Sequence, residues 1–161
     1  VADVLNGMPL EHVTVHPRTA SQQYAGELHC DKFESLARGL RHPVIFNGDV
    51  RSPGDIAWLR EHFPFIAGVM IGRGLLSRPT LFAEYRNGQE FDQDSRRKMS
   101  LELHRQLIDE YADTLCGDTQ VLSHLVPWHE YLADYIDRKS LKLMRKAKTI
   151  AAYRQAFDSA R

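Results

Sequence analysis

Three short stretches of this sequence carry side chains suited to holding a ligand: His16-Pro17-Arg18, Asn47-Gly48-Asp49 and Gly72-Arg73-Gly74. The last has the clearest chemistry. Glycines let the backbone approach a phosphate closely, exposed N–H groups donate to it, and Arg73 can pair with it bidentately. Each stretch also has an ordinary reading. His16 can be a hydrogen-bonded histidine at a strand end, Asn47-Gly48-Asp49 a turn, and Gly72-Arg73-Gly74 a tight strand exit with a solvated arginine. What sets the three apart is their order, because each follows a short apolar run.

Those runs are the elements that must position them. His12-Val13-Thr14-Val15-His16 is short and β-branched. Pro43-Val44-Ile45-Phe46 is continuously apolar, as in a parallel strand buried on both faces, and Ala67-Gly68-Val69-Met70-Ile71 repeats the pattern. Between them, Asp31 to Leu40 places Phe33, Leu36, Ala37 and Leu40 on one helical face. Ser52-Pro53 opens a second helix with an N-cap and a proline at the first position, and Ile56, Leu59 and Phe63 supply its apolar stripe. This is the βαβ rhythm of a parallel sheet. In a parallel barrel all strand C-termini lie on one face, so side chains distant in sequence converge there, and phosphate sites are often built from the loops after the last two strands.

From about Asp92 the rhythm stops. Ser95 to Leu115 has helical period, with Met99, Leu103, Leu107 and Tyr111 near one stripe. Thr119 to Ile136 reads as one helix with a break at Pro127, and Arg138 to Ala156 as a third. An all-α unit follows, with a boundary near residues 87–94, where Asn87-Gly88 makes a turn.

Length and composition set the outer limits. The chain has 161 residues, 43% hydrophobic and 26% charged, with a net charge of zero. It contains no apolar run long enough for a membrane span and no signal-peptide pattern at Val1 to Leu10. It also lacks an initiator Met, which suggests that it begins within a longer protein. Cys30 and Cys116 form no CxxC and read as packing or idle thiols of a reduced, cytoplasmic protein. Charge is unevenly spread: residues 138–161 hold eight Lys or Arg against one acid, Asp158.

Val15-His16-Pro17-Arg18-Thr19, Gln22-Gln23-Tyr24-Ala25-Gly26, Val44-Ile45-Phe46-Asn47-Gly48-Asp49-Val50 and Gly68-Val69-Met70-Ile71-Gly72-Arg73-Gly74 together resemble the successive signatures of the tRNA-dihydrouridine synthase family. Leu75-Leu76-Ser77-Arg78-Pro79-Thr80-Leu81-Phe82 continues the likeness. The resemblance implies an α/β fold: the C-terminal portion of a (β/α)8 TIM barrel over residues 1–92, its last three βα units, followed by a helical tRNA-binding domain over 93–161. It implies an FMN enzyme that uses NADPH to reduce the C5=C6 bond of uridine in tRNA. His16, Asn47, Gly48, Asp49, Gly72 and Arg73 fall on the family's FMN contacts, and Arg18 lies beside the pocket, against flavin or uracil. Pro17 replaces the glycine commonly found after the histidine. The family's catalytic cysteine sits on an earlier loop, so no catalytic residue is expected in this chain, and the chain alone is expected to be inactive. Exposed barrel edges would favour a homo-oligomer of such a piece.

Within the helical part, Arg138, Lys142 and Arg145 follow i, i+4, i+7, with Lys139 and Lys146 adjoining, while Leu141, Met144 and Lys148 fall on another side. The face reads either as a solvated surface or as one that tracks RNA phosphates. The family's helical domain helps to hold tRNA, which favours the second. His124, Trp128 and His129 read as packing residues, and no metal site is expected. Two other functions fit parts of the pattern: an FMN-dependent barrel enzyme acting on a small molecule, and a non-catalytic RNA-binding module.

Overall fold

The structure is a computed structural model and describes residues 1–160; Arg161, the last of the C-terminal cations, lies outside the described residues. In chain order the elements are α1 (Ala2–Asn6), β1 (Val13–Val15), α2 (Cys30–Arg38), β2 (Val44–Asn47), α3 (Pro53–His62), β3 (Gly68–Met70), α4 (Arg73–Ser77), α5 (Leu81–Asn87), α6 (Gln93–Thr114), α7 (Gly117–Leu125), a 3-10 turn (Val126–His129), α8 (Arg138–Lys146) and α9 (Ile150–Asp158). The chain divides into two compact units, Val1–Leu75 and Leu76–Arg161. This division falls earlier than the 92/93 boundary read from the sequence.

The first unit is a three-stranded parallel sheet in the order β1-β2-β3. Val15 pairs with Phe46, and Phe46 in turn with Val69. Helices connect the strands because parallel neighbours require a crossover. The core is aromatic: Phe33 of α2 meets Phe46 edge-on at 4.8 Å and Phe63 at 5.1 Å between ring centroids. Val44 and Phe46 are buried, whereas Ile45 and Asn47 are half-buried. The apolar run at β2 therefore buries one face fully, not both as expected, since within this unit the aromatic side chains of Phe33 and Phe63 pack on the Phe46 face. Ser52 caps α3 with Pro53 behind it, as the Ser-Pro opening suggested, and Asp55 completes a reciprocal capping box.

The second unit holds helices and no strand among its described residues. Its core joins Ile108, Val121, Leu125, Leu132, Ile136, Leu141, Met144, Tyr153 and Phe157. Three sequence expectations are corrected. The buried face of α6 is Ser100, His104 and Ile108, while Met99 is exposed; a stripe chosen by hydropathy missed it because two of its three members are polar. Pro127 does end the helix before it, but into a 3-10 turn. Arg138 to Ala156 is two helices, because Ala147 takes an extended ψ of 137° and Thr149 caps α9 through its hydroxyl, 3.2 Å from the Ala152 N–H.

At the start of this unit Glu84 is fully buried and is the hub of an ionic cluster. It accepts from Arg78, from the Thr80 hydroxyl and from the Phe91 N–H, and Arg96 approaches at 3.5 Å. The cluster ties α5 to the beginning of α6. Burial pushes the Glu84 carboxyl up, but the bonds from Arg78, Thr80 and Phe91 outweigh it and hold the group down at about 2.

Candidate functional site

The parallel register brings the C-terminal ends of β1, β2 and β3 together, and side-chain bonds stitch them. His16 Nδ1 lies 2.8 Å from the Asn47 carbonyl oxygen. A carbonyl only accepts, so Nδ1 carries the hydrogen, and in the neutral ring Nε2 is a bare acceptor. That Nε2 is buried and has no protein partner. The Asn47 amide in turn donates to the Met70 carbonyl at 2.9 Å. The three strand ends are thus linked in series through His16 and Asn47.

Asp49 is the electrostatic centre. Its backbone is left-handed, with φ 45°, a conformation that Asp tolerates better than most residues. Its carboxylate takes both terminal nitrogens of Arg18, at 3.1 and 2.5 Å, and Arg73 stands 3.8 Å away. The Arg18 bond holds the Asp49 carboxyl below the usual carboxylate range, with burial opposing it and Arg51 and Arg73 assisting. The Arg18 side chain is only 3% exposed and also donates to the Gly26 carbonyl at 2.7 Å. Its charge is therefore matched within the protein. Arg73 is different: its side chain is 42% exposed, and its guanidinium lies 4.1 Å above the Tyr24 ring, itself 68% exposed. The cation-bearing face at the strand ends is consequently Arg73 over Tyr24.

The glycines differ in kind. A Cβ on Gly72 would meet nothing within 4 Å, so its backbone lies open. A Cβ on Gly74 would fall 1.9 Å from the Val50 carbonyl oxygen, and only glycine fits there. At Gly48 a Cβ would stand 3.0 Å from Leu28 and 3.6 Å from His16 Nδ1, which keeps that strand end close-packed. Sequence reading placed His16, Arg18, Asn47, Gly48, Asp49, Gly72 and Arg73 at the site, and the structure brings them to one end of the sheet. It did not single out Tyr24, which lies under the Arg73 guanidinium although it falls within a quoted motif.

The second group of cations lies on α8. Arg138, Lys139, Lys142, Arg145 and Lys146 are all exposed, while Ser140, Leu141 and Met144 are buried. Asp137 caps the helix, accepting from the Lys139 and Ser140 N–H groups at 3.0 Å each, with the Ser140 hydroxyl on its other oxygen at 2.7 Å. Cys30 starts α2 and Cys116 precedes α7 without a side-chain capping bond; burial and Asp31 push the Cys30 thiol up, the opposite of what a reactive cysteine needs.

A short parallel sheet with crossover helices, carrying a stitched and charged cluster at its strand ends, defines the first unit as α/β, and an all-α unit follows it. The sequence matches the family described as Dihydrouridine synthase (Dus) over residues 1–159, and the chain belongs to that family. It is 27% identical over 160 residues to tRNA-dihydrouridine synthase B of Vibrio cholerae, covering 99% of this chain and 46% of that protein. It is 42% identical over 73 residues to a probable tRNA-dihydrouridine synthase of Mycobacterium tuberculosis, covering 45% of this chain and 18% of that one. A probable tRNA-dihydrouridine synthase of Aquifex aeolicus is 27% identical over 115 residues, 71% of this chain and 36% of that protein. The chain thus spans less than half the length of these relatives. No helix among the described residues is long and apolar enough to cross a membrane.

Proposed function

We infer that this chain is the C-terminal part of a cytoplasmic, flavin-dependent tRNA-dihydrouridine synthase, comprising the last three βα units of its (β/α)8 barrel and its helical tRNA-binding domain. The observation that carries this reading is the family match, which runs across both units and takes in the whole strand-end cluster. The residues present suit FMN. His16 offers a buried ring nitrogen with no protein partner, Gly72 leaves its backbone open, and Arg73 keeps a half-exposed guanidinium beside it.

FMN held here would supply, once reduced by NADPH, the hydride that saturates the C5=C6 bond of uridine. The chain's own residues bind and orient. Arg73 and the Gly72 backbone take the phosphate. His16, fixed by the Asn47 carbonyl, presents Nε2 to the flavin. Asp49 and Gly48 would lie beside the flavin at the end of β2. Arg18 holds Asp49, and so acts on the pocket through it. Arg138, Lys139, Lys142, Arg145 and Lys146 contact tRNA phosphates.

The three-stranded sheet is incomplete as a barrel, with β1 and β3 as open edges. On this reading the chain by itself lacks activity, and its open strand edges favour pairing with a second copy, which light scattering would distinguish from a monomer. The cofactor assignment is tested in the full-length protein. Arg73→Ala should lower the FMN retained per protein after purification, read from flavin absorbance. Full retention would refute the phosphate role.

A further inference from the structure

A buried polar thread crosses the helical unit outside the site already described. His104 Nε2 on α6 lies 2.9 Å from the Tyr153 hydroxyl on α9, and His129 Nε2 in the 3-10 turn lies 2.9 Å from the same oxygen. All three residues are at least 98% buried. Burial holds both imidazoles down at about 4, assisted at His104 by the neighbouring His129 and at His129 by the positive charge of Arg145. At neutral pH each ring therefore carries one proton. A tyrosine hydroxyl has one hydrogen, so it donates to one Nε2 and must accept from the other. The two histidines are consequently opposite tautomers.

Which is which follows from the ring nitrogens left over. His104 Nδ1 and His129 Nδ1 are both buried without a protein partner, and so is Ser100 Oγ, one helical turn before His104. Ser100 and His104 line a small pocket together with Leu103, Trp128, Tyr131 and Leu132, with a volume of about 10 Å³. His129 is not part of that lining. A space of roughly 10–15 Å³ with polar partners holds one water. A buried N–H without a partner is rarer than a buried acceptor without one, so the Nδ1 hydrogen belongs on the ring that faces the pocket.

We propose that this pocket binds one water bridging His104 Nδ1 and Ser100 Oγ, and that the water sets the proton order through His104, Tyr153 and His129. His104 Nδ1–H donates to the water, the Tyr153 hydroxyl donates to His104 Nε2, and His129 Nε2–H donates to the Tyr153 oxygen. His129 Nδ1 is left as the bare acceptor. The chain of bonds joins α6, α9 and the 3-10 turn in one register, and Ser100 acts as a positioning residue for it.

The test is high-resolution crystallography of the chain together with 15N spectroscopy of its histidine rings at neutral pH. The expected result is one ordered water within hydrogen-bond distance of Ser100 Oγ and His104 Nδ1, with His104 protonated at Nδ1 and His129 at Nε2. An empty pocket, or His104 protonated at Nε2, overturns the proposal. Ser100→Ala should lose the water peak. In Tyr153→Phe, His104 should keep its Nδ1 hydrogen, because the water still holds it; a switch to Nε2 there would show that the water does not set the order.

Discussion

At the scale of single residues, the strand-end cluster separates side chains that meet a ligand from those that hold them. Gly72 and Gly74 share a tripeptide but have different jobs. Gly72→Ala leaves the fold intact, since nothing lies within 4 Å of the added carbon, whereas Gly74→Ala drives a Cβ to 1.9 Å from the Val50 carbonyl oxygen. Overpacking of this kind costs about 1–3 kcal/mol. A denaturant midpoint that falls for Gly74→Ala and holds for Gly72→Ala is the expected outcome; equal midpoints would mean that the Val50 contact is not rigid. The residue types at the site were legible in the sequence, because glycine, arginine and histidine after apolar runs have few other uses in combination. Their pairing was not. That Arg18 is neutralised by Asp49, and Arg73 left half-exposed, depends on which of two guanidinium groups is buried, and the register between β1 and β2 settles that.

Among the elements, helices and strands with ordinary caps were readable, and those closed by tertiary contacts were not. The box at Ser52 and Asp55 announces α3. The break between α8 and α9 leaves only Thr149 as a signal, in the middle of a run with helical period throughout. The link from α5 to α6 rests on Glu84, whose partners span Arg78 to Arg96. Its carboxyl is held down at about 2 in the folded state, against a usual value near 4.5. The unfolded chain therefore binds the proton first as pH falls. The stability contributed is fully present above pH 4.5 and is lost between there and about 2. Glu84→Gln should flatten the fall in stability through that window, read by denaturant unfolding at stepped pH; an unchanged slope would remove Glu84 as its source.

The basic face of α8 makes its prediction at the same scale. Lys142→Ala with Arg145→Ala, both at exposed positions, should leave helicity unchanged and weaken tRNA binding by the full-length protein. The slope of log affinity against log salt should drop by about one for each cation removed. Weaker binding with an unchanged slope would place these residues away from phosphates.

For the molecule as a whole, composition and periodicity yielded an α/β unit followed by an all-α unit, and the structure has both. The division falls at Leu75 and Leu76 because the Glu84 cluster joins α5 to the helices that follow, a long-range ionic contact that hydropathy does not record. The family match runs along residues 1–159, and the chain spans less than half the length of the relatives compared with it. The most direct test expresses the full-length protein in a host stripped of its own dihydrouridine synthases and maps dihydrouridine in tRNA position by position. Dihydrouridine at defined positions from the full-length protein, and none from this chain alone, is the predicted result. An FMN-loaded full-length protein that leaves every tRNA uridine unreduced would contradict it.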